Sequence, residues 1–286
     1  ESFSSVLLDR DGKLLGATVA QDGKWRFPAS VLPPARFATC LVQFEDRHFM
    51  SHFGVRPQSL LRAWFQNRRA GRIVSGGSTL TMQVARLSRG NRGRTYAEKL
   101  FEALLAMRIE LRMGKAEILR LFAAQAPFGG NVVGLDAAAW RYFGLPAERL
   151  SWSECATLAV LPNAPSAIYP GKGHAALRVK RDRLLDRLLA VRAIDSTEWS
   201  LAKQEPLPGQ PKTLPQRAPH LLGTLIAQGR SGQLIRSTLS GHLQDRASAA
   251  AARYAPRLEA NEVHNAAALI LDVRPGEVLA YVGNLP

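Results

Sequence analysis

The chain is short of cysteine, of acidic residues and of long apolar runs, and each shortage removes a class of protein. Two cysteines in 286 residues, Cys40 and Cys155, leave no disulfide framework and no thiolate metal site. Each lies in an apolar, helical-looking stretch and reads as a buried thiol. No run of 18 apolar residues occurs, so no segment reads as a transmembrane helix. Familiar signatures are also missing. His48 and His52 stand at i, i+4 without the HExxH pattern or a third ligand nearby, and read as structural histidines. The Gly76-Gly77-Ser78-Thr79 turn lacks the lysine of a P-loop. Ser200-Leu201-Ala202-Lys203 matches an SxxK pattern but has no SxN or KTG partner, so it reads as chance. The chain starts at Glu1 with neither Met nor a signal sequence, which reads as a trimmed chain whose anchor is missing.

What is present is charge. Against 23 acidic residues stand 38 lysines and arginines, a net charge of +15 that calls for an anionic partner: nucleic acid, an acidic polymer or an anionic lipid surface. A hydrophobic content of 46% and a length sufficient for one large domain or two describe a globular protein.

The pattern along the chain is mainly helical. Residues 4–27 alternate around the turn signals Asp11-Gly12 and Asp22-Gly23, consistent with a β-hairpin. Pro33-Pro34 precedes an apolar stretch ending at Glu45, and residues 57–70 are amphipathic. Thr95 and Glu98 form a capping box opening a helix to about Met113, where Gly114 is placed to stop it. Helices are expected near 115–125, 135–142, 151–161, 175–192 and 234–254, with strands at 266–272 and 277–283. The Pro-rich, polar stretch Glu205 to Pro219 reads as a linker.

Two segments concentrate the chemistry. Residues 44–54, Phe-Glu-Asp-Arg-His-Phe-Met-Ser-His-Phe-Gly, put Glu45 and Asp46 beside two histidines among apolar neighbours. Residues 76–102 add the hydroxyl-rich turn Gly76-Gly77-Ser78-Thr79-Leu80-Thr81-Met82-Gln83, then Arg94, Lys99 and Glu102. Carboxylates, hydroxyls and cations in that order suit the transfer of a sugar away from a phosphate. On the 95–113 helix alone, Lys99 and Glu102 at i, i+3 favour a plain surface ion pair. Leu60 to Arg69 mixes Trp64, Phe65 and leucines with arginines, as on helices lying at a membrane interface or packed on a core. The basic tract of Arg178, Lys180, Arg181, Arg183, Arg187 and Arg192 is interrupted by Asp182 and Asp186 and reads as a solvated face.

Together these segments resemble the peptidoglycan glycosyltransferases of family 51, in the form carried by the N-terminal part of bifunctional class A penicillin-binding proteins of the 1C branch. The first motif, EDxxFxxHxG, stands as Glu45 to Gly54. The second, GGSTLTQQ, stands as residues 76–83 with Met82 replacing the first Gln. The third, R followed by KxxE, is matched by Arg94, Lys99 and Glu102. Lys115 to Leu119 resembles the fourth and Arg178 to Leu185 the fifth, so the match covers about residues 4–192. Arg86 stands where the family usually has Lys, and Ala124 where it usually has Asn.

The resemblance implies a mainly α fold: a lysozyme-like glycosyltransferase domain over 31–203 with a small membrane-associated jaw around 55–74, preceded by the hairpin of 1–30. A linker over 204–219 would lead to the beginning of an α/β transpeptidase domain over 220–286, whose serine motifs are absent from this sequence. It also implies lipid II and the growing glycan strand as substrates, polymerised into β-1,4-linked glycan with inversion and release of undecaprenyl pyrophosphate. Glu45 would be the general base, with Glu102 as second catalytic carboxylate. Asp46, Ser78, Thr79, Gln83, Arg86, Arg94 and Lys99 would bind substrate and pyrophosphate. No protein-held metal is expected; a divalent cation, Mg or Mn, at the pyrophosphate is the one cofactor the resemblance admits. Moenomycin-type inhibitors, the membrane surface and partner proteins of cell-wall synthesis are the other expected contacts, at the periplasmic face of the bacterial inner membrane. A lysozyme-like glycan hydrolase is the rival reading, which the cations beside the acids disfavour. Nucleic acid is not an expected partner, since no aromatic-and-basic strand pattern is present.

Overall fold

The structure, a computed structural model, describes residues 2–28, 32–71, 77–90, 95–163 and 169–284, with the side chains of residues 60, 63, 64, 67 and 96 outside the description. The chain begins with three short strands, β1 (Val6–Leu8), β2 (Leu14–Ala17) and β3 (Trp25–Arg26). Helices α1 (Ala35–Glu45), α2 (Pro57–Ala70), α3 (Leu80–Ser88), α4 (Tyr96–Arg112) and α5 (Lys115–Gln125) follow. After β4 (Pro127–Gly129) and β5 (Val132–Val133) come α6 (Leu135–Tyr142), α7 (Trp152–Val160), α8 (His174–Ala190) and α9 (Ser196–Gln204). The last part holds α10 (Pro219–Leu225), β6 (Leu234–Arg236), α11 (Gly241–Glu259), β7 (Ala268–Asp272) and β8 (Glu277–Val282). The protein is thus mainly helical, as expected.

Two compact units emerge: Ala29–Pro211, and a second made of Glu1–Pro28 with Lys212–Pro286. In the first, the apolar faces of α1, α7 and α8 pack together, burying Phe37, Leu41, Leu158, Leu184 and Leu188, while α3 packs on α4 and α5. Burial of such side chains is the main driving term of the unit, at about 1.5–3 kcal/mol each. The fully buried Arg181 is satisfied by the main-chain carbonyls of Lys203 and Glu205, the Ser153 hydroxyl and Asp182, which ties α8 to α7 and to the end of α9.

In the second unit β1 pairs antiparallel with β2, as the Asp11-Gly12 turn predicts, and parallel with β6. Leu7, Leu15, Ala218, Leu222, Ile235 and Leu239 form its core. Residues 234–236, expected as the start of a helix, are therefore a strand, and the helix begins at Gly241. Part of the expected linker is also ordered by packing: the Arg217 amide donates to the Leu15 carbonyl, and Leu214 and Ala218 are buried. Buried Gln244 donates to the Arg217 and Tyr281 carbonyls at 2.9 Å each and accepts from the Tyr281 amide, fixing α11 against β8. The β7–β8 hairpin forms where the sequence puts it.

Two local expectations change. Thr95 caps α4 by accepting from the Glu98 amide, but the Glu98 carboxylate turns to Arg89 at 2.6 Å, so the reciprocal half of the capping box is not made. Gly114 adopts φ −73° and serves as the N-cap residue of α5, so it is not the left-handed stop of α4.

Candidate active site

Helix α1 ends at Glu45, so the carboxylate projects from a helix terminus. The residue is half-buried and its Oε1 is sealed from solvent with no hydrogen-bond partner among the described residues. Its Oε2 accepts from Gln83 Nε2 at 2.7 Å. Burial pushes the Glu45 carboxyl above the ordinary glutamate range; the Gln83 hydrogen bond and the charges of Arg86 and Lys180 pull it back, and Asp46 pushes it up again. A desolvated carboxylate kept ionisable by cations is what a general base requires.

Asp46 points inward. Its Oδ2 lies 2.8 Å from His52 Nε2 and accepts the Leu80 amide at 3.1 Å, the first residue of α3. A carboxylate at a helix N-terminus is favoured by the free amides there, so Asp46 braces the second motif against the first; its engaged oxygen faces protein, away from the role of a pyrophosphate contact. Thr79 has a similar place: buried, it caps α3 by accepting from the Met82 amide and donates to the Gly54 carbonyl. Gly54 is required here, with φ +76° and a virtual Cβ 2.7 Å from the Ala106 carbonyl oxygen of α4. His48 is exposed and His52 buried, so the two histidines do not share a ligand face.

The third motif meets the second. Lys99 Nζ, on the first turns of α4, contacts both Ser78 Oγ and Glu102 Oε2, the latter at 3.4 Å. Glu102 is buried while Lys99 is partly open, so the pair is a cation on a buried carboxylate seat, unlike the solvated surface pair that the helix alone suggested. Arg86 on α3 has its Nε buried with no hydrogen-bond partner among the described residues. Arg94 and Gly76 lie outside the described residues. Lys115, from the fourth motif, donates to Glu110 Oε1 at 2.6 Å and to the His52 carbonyl at 2.7 Å, and sits over the Phe49 ring. Thr81 donates to the same Glu110 oxygen.

One residue near Glu45 escapes sequence reasoning. Lys180 of α8 was read as part of a solvated tract, yet burial lowers its ammonium's pKa while Glu45 opposes that shift. Its side chain donates to Asn163 Oδ1 at 3.1 Å. The signal was its place in the fifth motif; the interrupting aspartates masked it. Two groups of side chains thus form within one unit: Glu45 with Gln83, Arg86 and Lys180 from α1, α3 and α8, and Lys99 with Glu102 of α4 and with Ser78 just before α3.

The Transglycosylase family model matches residues 11–189. Penicillin-binding protein 1C of Escherichia coli is 36% identical over 282 residues, 98% of this chain and 36% of that protein. Penicillin-binding protein 1A of Pseudomonas aeruginosa is 38% identical over 61% of this chain and 21% of its own length. The 1A protein of Aquifex aeolicus is 38% identical over 71% of this chain and 28% of its own. The chain therefore spans about a third or less of these relatives' lengths. With the family model matched across all the segments that build the cleft, the chain belongs to the transglycosylase family.

Proposed function

We propose that the chain is a peptidoglycan glycosyltransferase that polymerises lipid II into β-1,4-linked glycan with inversion, releasing undecaprenyl pyrophosphate. The observation that carries this is Glu45, desolvated beside Gln83, Arg86 and Lys180, in one unit with the cation Lys99 on its Glu102 seat. Glu45 takes the proton of the acceptor's 4-hydroxyl as that oxygen bonds to the donor's anomeric carbon. The bond from that carbon to the diphosphate breaks, and the diphosphate leaves as an anion. Lys99 and Arg86, with Arg94, stabilise the departing charge, with Ser78 and Gln83 as polar contacts. Glu102 positions Lys99, while Asp46 and Thr79 act through the bracing described above. The carboxylates of the cleft are already engaged with Gln83, His52 and Lys99. A Mg or Mn ion would therefore be carried on substrate oxygens and not in a protein cage.

The finer architecture is part of the same reading: a lysozyme-like lobe, a membrane-associated jaw at 55–74, and residues 220–286 as the beginning of a transpeptidase domain. Support for the last comes from similarity to the 1C protein across 98% of the chain, beyond the family model's limit at residue 189. Among the described residues no helix is long and apolar enough to cross a membrane. Apolar side chains face outward, however: Leu61 and Phe65 on α2, and Leu100, Leu104, Met107 and Leu111 at i, i+4, i+7, i+11 on α4. Such a stripe supports a protein working against the lipid headgroups of the periplasmic face, where lipid II is offered.

Product analysis separates transfer from hydrolysis. Mixed with lipid II, the chain is expected to release undecaprenyl pyrophosphate and build polymer, and to leave preformed glycan uncut. Shortening of preformed glycan without polymer would establish the hydrolase instead. Lys99→Ala is expected to weaken donor use and moenomycin binding together, because both ligands present phosphate to the same cation; unchanged activity and inhibitor affinity would reduce the Lys99–Glu102 pair to a structural contact.

A further inference from the structure

The acids that break up the basic tract of α8 in sequence do not neutralise it in space. Asp182 is paired with buried Arg181, and Asp186 with Lys203 and the Trp199 indole. What remains is a row of cations, Lys180, Arg183 and Arg187, at i, i+3 and i+7, which share one face of the helix. Arg183 is exposed and Lys180 and Arg187 are half-buried. Arg187 is fixed by donating to the Gln43 carbonyl of α1 at 2.8 Å, which sets this row beside the turn that carries Glu45. Arg47, exposed two residues past Glu45, is close enough to Arg187 to lower its pKa further, after the larger effect of burial. No carboxylate is paired with Arg47, Arg183 or Arg187 among the described residues. Like charges gathered within a Debye length, without counterions from the protein, concentrate anions at that place.

The donor diphosphate has its own cations on α3 and α4. The α8 row lies on another element and borders the same base, where the hydroxyl that Glu45 deprotonates must come. We infer that Arg47, Lys180, Arg183 and Arg187 form an anion subsite for the acceptor, binding an acidic group, phosphate or carboxylate, of the molecule whose hydroxyl attacks. This rests on the transfer reading proposed above. Lys180, half-buried and donating to Asn163, is near enough to Glu45 for the two charges to act on each other; Arg183 and Arg47 are the exposed members.

The test uses the intact 286-residue chain with two one-role substrates. A disaccharide-pentapeptide carrying a non-transferable phosphonate in place of the diphosphate can only accept; a glycan diphosphate lipid with its terminal 4-hydroxyl blocked can only donate. Arg47→Glu combined with Arg183→Glu touches exposed side chains with no carboxylate partner among the described residues, and Arg192→Glu, exposed and off the row, is the charge control. A loss of about tenfold or more in acceptor affinity, seen as a raised KM, with donor KM and saturated kcat within about twofold, is the expected result, given the strength of charge-assisted contacts. The melting temperature should stay unchanged. Equal rises in donor and acceptor KM, an equal effect of Arg192→Glu, or no effect would overturn the subsite.

The same acceptor with its stem carboxylates amidated, and the same acceptor lacking the phosphonate, identify the source of the anion. The group whose presence restores the charge dependence is the one bound, and dependence on neither would also overturn the proposal. Calorimetric binding of the accepting disaccharide-pentapeptide reads the subsite without turnover. A chain that binds it in an Arg183-dependent, salt-sensitive way yet makes no glycan would overturn the transfer reading and leave the subsite standing.

Discussion

At the scale of the residue, Glu45 combines two demands that oppose each other. Burial raises its pKa, so at neutral pH the folded protein holds a carboxylate more easily protonated than in the unfolded chain. By linkage, a folded-state pKa above the unfolded value makes a stability contribution that is full at low pH and is lost as pH rises through that range. Glu45→Gln should therefore raise the melting temperature at neutral pH, and the gain should shrink toward about pH 4, near the ordinary glutamate value. A variant less stable than wild type at neutral pH would mean that the cations more than offset the desolvation. At Gly54 the expected effect is a loss of stability: Gly54→Ala adds a Cβ against the Ala106 carbonyl at positive φ. A loss of at least about 1–3 kcal/mol in denaturant unfolding is expected from the backbone strain alone. Glu45 was legible in sequence as the candidate base because it sits in a long ordered motif. Lys180 was not, since which partners Asp182 and Asp186 choose depends on α9, a helix that follows α8 and folds back on it.

At the scale of the element, the 3.6-residue periodicity made the long helices readable. Helices α1, α2 and α5 appear where the periodicity puts them, and α1 and α5 each bury one face in their own unit. Strand β6 was misread for a physical reason: its partner β1 lies more than 220 residues away in sequence, and no local pattern records a parallel pairing. The clamp between α4, α5 and the first motif illustrates how elements hold the site. Lys115 alone bonds Glu110 and the His52 carbonyl and covers Phe49. Lys115→Met leaves the Glu110 carboxylate buried with only Thr81, and should cost about 3 kcal/mol in chemical unfolding, as when one partner of a buried pair is removed. Adding Glu110→Gln should recover part of that loss; a double variant as unstable as the single would point to packing alone. The outward stripe of α4 predicts a different signature. Leu104→Ser with Leu111→Ser should weaken binding to anionic vesicles without lowering the melting temperature, since both side chains are exposed. A drop in melting temperature with vesicle binding intact would assign the stripe to folding.

At the scale of the whole molecule, a net charge of +15 and cations at the cleft fit an enzyme whose substrate and surface are both anionic. Mainly helical architecture and family were readable from residues in order, since the motifs are long and few alternatives satisfy them together. The pairing of the N-terminal hairpin with strands and helices after residue 212 was not readable, because it is set by a shared core of Leu7, Leu15, Leu222 and Ile235 that no local window contains. The central claim is that Glu45 removes the acceptor's proton as diphosphate leaves. It is tested most directly by the rate of undecaprenyl pyrophosphate release from lipid II by wild type and Glu45→Gln, with lipid II binding measured alongside. The account predicts a loss of about 10²-fold or more in rate with binding nearly intact, the usual worth of a positioned base. Retention of more than about a tenth of the wild-type rate would contradict it.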